Sequence, residues 1–102
     1  MIPLIQKHHQ DLNALCQRYD VARLEVFGSA AAAYSDHDAR DVDLLVEFLP
    51  ASELGPADRY FGLLEELQSL LGRPVDLVCA RAMQNPYFIE EVNRSRSLLY
   101  AA

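Results

Sequence analysis

The chain has 102 residues, 51% of them hydrophobic and 24% charged, a composition that suits one folded domain with one core and excludes a disordered segment. Fifteen acids against nine Lys and Arg give a net charge of −6, which opposes stable binding of duplex nucleic acid by this chain alone. No apolar run approaches the roughly 20 residues of a membrane helix. The segment Met1–Lys7 lacks the basic-then-apolar layout of a signal peptide, so a single domain over residues 1–102, located in the cytoplasm, is expected.

The first 19 residues hold Ile5, Leu12, Leu15, Cys16 and Tyr19 at helical spacing, which predicts a helix over 3–19 with His8 packed or half-exposed on the same stripe. Residues 22–27 alternate, with Ala22, Leu24 and Val26 on one side and Arg23, Glu25 and Phe27 on the other, the pattern of a strand. Gly28-Ser29 ends it. The alanines that follow have the best helix propensity of any residue and predict a short helix from Ser29 to Tyr34. Ser35-Asp36-His37-Asp38 reads as a polar turn. A second strand over 41–48 places Val42, Leu44, Val46 and Phe48 on one face and Asp41, Asp43, Leu45 and Glu47 on the other.

Residues 49–55 form a loop, and Pro56 suits the first turn of a helix. Tyr60, Leu63, Leu64, Leu67, Leu70 and Leu71 then mark a core-facing stripe that Gly72 and Pro74 terminate. Val75–Cys79 reads as a third, short strand. Asn85 caps a last helix with Pro86 in its first turn and Phe88, Ile89 and Val92 as its apolar face, and residues 97–100 suit a closing strand. Cys16 and Cys79 have no zinc-spaced partners and are expected as buried free thiols; Tyr34, Tyr60 and Tyr87, if exposed, could serve an interface, but ordinary packing is the plainer reading. The order predicts an α/β fold, a small mixed β-sheet with helices packed on it.

One stretch carries chemistry. Asp41 and Asp43 are two apart on a strand, so they project from one face roughly 6.5 Å apart. Two such carboxylates repel, and one takes up a proton unless a cation stands between them. Mg²⁺ accepts a few carboxylate oxygens and completes its shell with water and phosphate oxygens. Upstream, Gly28 lets backbone N–H groups approach a phosphate closely, and Ser29 adds a hydroxyl at a helix start. Alone, the acid pair is ordinarily a solvated one and Gly-Ser ordinarily a turn. The succession of strand, Gly-Ser, short helix, turn and strand with D-x-D is more specific.

In that succession the chain resembles the minimal nucleotidyltransferases of the DNA polymerase beta superfamily. The likeness runs through the leading helix, "LEVFGSA", "DVDLLVEF", "LLEELQSLLGRPVDLV" and the closing "SLLY". It implies that Gly28 and Ser29 hold the triphosphate of ATP and that Asp41 and Asp43 bind two Mg²⁺ ions. It further implies that Asp76, at the place of the family's third carboxylate, binds one of those ions and helps deprotonate the attacking hydroxyl. Alternation alone places Asp76 only on the side away from Val75 and Leu77. The implied reaction is in-line attack on the α-phosphate with release of pyrophosphate. The family usually carries a basic residue and a glycine where this chain has Ala30–Ala33, and Arg40, the nearest base, is read as facing away from Asp41. Stand-alone domains of this size resemble antitoxins whose partner is a small all-helical ribonuclease toxin of the HEPN class. The resemblance therefore implies transfer of AMP to a tyrosine of such a toxin. The alternative is a non-catalytic module that neutralises the same kind of partner by contact, which the alanine run favours. Adenylylation of a small molecule or a nucleic-acid end is a third reading, opposed by the negative charge and by the absence of a second substrate domain.

Overall fold

The structure is a computed structural model and describes residues 1–102. Four strands, β1 (Val21–Phe27), β2 (Val42–Phe48), β3 (Val75–Cys79) and β4 (Ser97–Ala101), form one sheet in the order β3-β2-β1-β4. β1 runs antiparallel to both β2 and β4, whereas β2 and β3 are parallel. The sheet is therefore mixed, as expected from the long α4 (Pro56–Leu71) that crosses over between β2 and β3.

The period-two pattern of β1, β2 and β3 sorts their side chains onto two faces. Leu24 and Val26 of β1, Val42, Leu44 and Val46 of β2, and Val75 and Leu77 of β3 form the main core. Against them pack Ile5 of α1 (Pro3–Lys7), Leu12, Leu15 and Cys16 of α2 (His9–Arg18), and Leu63, Leu67 and Leu71 of α4. The opposite face is only partly covered. There α5 (Pro86–Ser95) lays Val92 on Phe27 and Leu45, and Phe88 meets Phe27 edge-on at 6.0 Å between ring centroids. Asn85 caps α5 as expected, its Oδ1 accepting from the Tyr87 and Phe88 N–H groups at 2.9 and 3.4 Å.

Four expectations are corrected. The single helix over 3–19 is broken at His8, whose φ of −100° and ψ of 20° leave the helical region. The break lets the N-terminal segment turn beneath α3 (Ser29–Ala32), where the Ile2 N–H donates to the Ala30 carbonyl at 2.9 Å. The alanine helix stops at Ala32, with Ala33 extended, because a helix this short closes too few hydrogen bonds to repay its nucleation. Tyr34 and Tyr87 are not packed. They are 91% and 82% exposed, one just past the end of α3 and the other in the first turn of α5. Cys16 is buried, and burial pushes its thiol up to about 12, whereas Cys79 is only half-buried.

The edge of β3 is blunted by α4. The Tyr60 hydroxyl donates to the Leu77 carbonyl at 2.5 Å, and Gln68 Oε1 accepts from the Val75 N–H at 3.1 Å. The side chain of Glu25 is almost wholly buried in the centre of the sheet, on the α5 side. Arg96 grips its carboxylate with Nε at 2.5 Å and Nη2 at 2.9 Å, and Arg23 Nε adds a third contact at 2.5 Å. The Arg96 hydrogen bonds, with help from Arg23 and against the cost of burial, hold the Glu25 carboxyl down at about 2. Its folded value lies below the ordinary 4.5, so this contribution to stability is complete above about pH 4.5 and is lost as pH falls toward 2. Replacing Arg96 by Met is expected to cost about 2 kcal/mol, because the buried carboxylate keeps only Arg23. Urea unfolding at pH 7 measures that loss, and the gap between variant and wild type should close as the pH is lowered from about 4.5 toward 2.

Candidate active site

The carbonyl of Gly28 accepts from the Ala31 and Ala32 N–H groups, so the turn after β1 is built by its own short helix. Gly28 itself adopts φ 67° and ψ −148°, a region essentially closed to residues with a Cβ. The antiparallel register sets Phe27 opposite Asp43, and the next residue, Gly28, is in immediate contact with that carboxylate. A Cβ on Gly28 would stand 2.6 Å from Asp43 Oδ2. The Gly-Ser turn and the second aspartate of D-x-D therefore share one spot.

The parallel register of β2 and β3 sets Asp43 beside Asp76, at the inter-strand spacing of about 4.8 Å. Both lie on the partly covered face of the sheet. Asp43 is half-buried and Asp76 exposed on the edge strand. Asp41 lies one residue ahead of β2, not within it, and is exposed. Burial, then the charge of Asp76, then that of Asp41, push the Asp43 carboxyl above its ordinary value. None of the three carboxylates has an ion-pair partner. No three His, Cys, Asp or Glu side chains close around a point as a metal cage. The donor set nevertheless fits Mg²⁺, which takes one or two carboxylates and leaves its other positions to water and phosphate. A half-buried carboxylate facing two like charges is the arrangement such a cation relieves.

Ser29 is the first residue of α3 and is exposed, so its hydroxyl is free to meet a ligand. Arg40 is exposed and lines a polar cleft of about 460 Å³ with Asp36, His37, Gly72 and Arg73. Sequence reasoning missed two residues around this turn. Arg73 Nη1 donates to the Asp36 and Ala39 carbonyls at 2.9 and 2.6 Å, which fixes the loop that delivers Asp41. Ser95 Oγ accepts from the Gly28 N–H at 2.8 Å. Neither contact has a local signal, since each joins segments more than 30 residues apart. The largest hollow, about 900 Å³ between Arg18–Asp20 and Ala51–Leu54, lies at the other end of β1 and β2 and contains none of these groups.

Comparison with known proteins places the chain in a family. The family model of the nucleotidyltransferase domain matches residues 10–100. A Methanocaldococcus jannaschii protein named "Putative protein adenylyltransferase MJ1379" is 31% identical over 84 residues, covering 82% of this chain and 79% of the relative. The solved "Structure of putative minimal nucleotidyltransferase" superposes with a TM-score of 0.68 at 33% identity, over 90% of this chain and 89% of the other. A Shewanella oneidensis structure, described as a tri-AMPylated HEPN toxin in complex with MNT antitoxin, contains a chain with the same fold. It gives a TM-score of 0.64 at 22% identity, covering 96% of this chain and 73% of that one.

Proposed function

The chain belongs to the nucleotidyltransferase domain family, and on that premise we propose that it is an antitoxin that transfers AMP from ATP, with Mg²⁺, to a tyrosine of a HEPN-type toxin. The observation that carries the reading is the meeting of Gly28, Asp43 and Asp76 at one end of the sheet, with Asp41 beside them. The name of the archaeal relative supports protein as the acceptor, and the S. oneidensis complex supports a HEPN toxin as the partner. The chain acts as one domain in the cytoplasm.

In this reading the Gly28 turn and the exposed Ser29 hydroxyl orient the triphosphate of ATP. Asp41, Asp43 and Asp76 would share the holding of Mg²⁺, one or two carboxylates to an ion, and the metal would supply charge neutralisation for the triphosphate and for the departing pyrophosphate. Asp76 takes the proton of the tyrosine hydroxyl in this reading as it attacks the α-phosphate in line, a role that its exposure on the edge strand supports. The tyrosyl oxygen forms the new P–O bond, and the bond to the pyrophosphate oxygen breaks. Ala30–Ala33 bring no cation to the phosphates, so neutralisation falls on the metal and on backbone N–H groups.

The test is incubation of the purified chain with α-labelled ATP, Mg²⁺ and a HEPN toxin, followed by mapping of the label. Label on a toxin tyrosine, lost with EDTA, is expected. The alanine run motivates the second reading, a module that neutralises the toxin by contact. Neutralisation of the ribonuclease with no label transferred would establish that reading and overturn the transferase. Label on RNA or a small molecule instead of protein would overturn the acceptor.

A further inference from the structure

The antiparallel pairing of β1 with β4 sets Glu25 opposite Leu98 and Val26 opposite Ser97. Continued past the strand ends, the same register brings Ser95 opposite Gly28. There the Gly28 N–H donates to the Ser95 hydroxyl at 2.8 Å. The next residue, Arg96, makes its paired contacts to Glu25 and also donates to Asn93 Oδ1 at 2.8 Å. The C-terminal end of α5 thus grips the exit of β1 at two points, one at Glu25 and one at Gly28.

These two contacts differ in kind. The Glu25 pair is buried and ionic, and anchors α5 to the sheet. The Ser95 contact is neutral and reaches the one residue of the Gly-Ser turn whose backbone is in the left-handed half of conformational space. Within that turn α3 uses the Gly28 carbonyl but offers nothing to the Gly28 N–H. The orientation of the peptide entering Gly28 therefore depends on a side chain 67 residues away.

We propose that Ser95 is a positioning residue for nucleotide binding. Its hydroxyl holds the Gly28 N–H, and with it the left-handed turn that sets Gly28 against Asp43 and Ser29 at the helix start. The phosphate-binding turn is thereby formed before nucleotide arrives. The ligand part of this inference rests on the transferase reading, whereas the contact itself does not.

Ser95→Ala removes the acceptor at a half-buried site, and Ser95→Thr keeps a hydroxyl there. Two quantities are measured on each protein: the hydrogen-exchange rate of the Gly28 amide by NMR, and the dissociation constant of MgATP by calorimetry. Loss of one hydrogen bond predicts about tenfold faster exchange at Gly28 and about tenfold weaker MgATP binding in Ser95→Ala. Amides in the centre of β1 should be unchanged, and Ser95→Thr should restore both quantities. A purely structural role would instead raise exchange across β1 and lower the melting temperature. Ser95→Ala with wild-type exchange at Gly28, or changed exchange without weaker binding by a protein that does bind MgATP, would overturn the proposal. If the wild type binds no MgATP at all, it is the transferase reading that fails, and Gly28 exchange still decides the contact.

Discussion

Asp43→Asn is expected to abolish nucleotidyl transfer and, at the same time, to raise the melting temperature of the metal-free protein. The two effects have one source. Asp43 is half-buried next to Asp76 and Asp41, and burial first, then the charges of Asp76 and Asp41, push its carboxyl above the ordinary 3.8. An acid whose folded value is raised favours the fold below its unfolded value, and that advantage is lost as pH rises through the folded value. At neutral pH the ionised Asp43 is therefore a net cost to the fold, and a neutral amide of the same shape removes it. The same substitution deletes a carboxylate from the group proposed to hold Mg²⁺. Metal charge stabilisation is worth several kcal/mol, so transfer should fall at least about 100-fold. Thermal melts with and without Mg²⁺ separate the effects. Wild type should gain stability from Mg²⁺, and Asp43→Asn should start higher at pH 7 and gain little. A variant that melts below wild type in EDTA, or transfers AMP at an undiminished rate, would contradict the assignment of Asp43.

Gly28→Ala should damage the site through geometry instead of charge. Its new methyl would sit 2.6 Å from Asp43 Oδ2, which is too close for any real contact. The backbone would also be held at φ 67° and ψ −148°, at a cost of about 1–3 kcal/mol. Because the obstructing atom is the end of a side chain, the fold can survive by swinging the carboxylate away from the turn. A displacement near 1 Å in a positioned group can cost about 100-fold in rate. The expected result is a folded protein with a melting temperature lower by about 10 °C and transfer reduced by about 100-fold. Gly72→Ala is the matched control. Gly72 also has a positive φ, of 66°, but nothing lies within 4 Å of an added Cβ. It should lose about 1 kcal/mol and keep its activity. Equal loss of activity in both variants would show that backbone strain, and not the Asp43 contact, is what matters at Gly28.

Much of this was legible before any coordinates. Period-two alternation in β1 to β3, the leucine stripe of α4 and the Asn85-Pro86 start of α5 are local signals, and each element formed where its pattern predicted. The likeness to minimal nucleotidyltransferases drawn from "LEVFGSA" and "DVDLLVEF" agrees with the family match over residues 10–100. The errors fell at the ends of elements. The break at His8 accompanies a contact between distant segments, the Ile2 N–H on the Ala30 carbonyl, and the early stop after Ala32 reflects the nucleation cost of so short a helix, which alanine's propensity does not offset. Tyr34 and Tyr87 were misjudged because a tyrosine next to a helix end carries no sign of which way it faces.

By itself the sequence determined the elements, their order, and the placing of Gly28-Ser29 and Asp41-x-Asp43 on consecutive ones, because each depends on neighbours within a few residues. Only the tertiary structure decided that Asp76 stands beside Asp43, that Arg96 neutralises Glu25, and that Ser95 and Arg73 brace the loops on either side of the site. Those pairings are set by strand register and by how α5 and the turn after α4 dock on the sheet. A single register step would carry Asp76 to the opposite face, and no periodicity within either strand fixes that step.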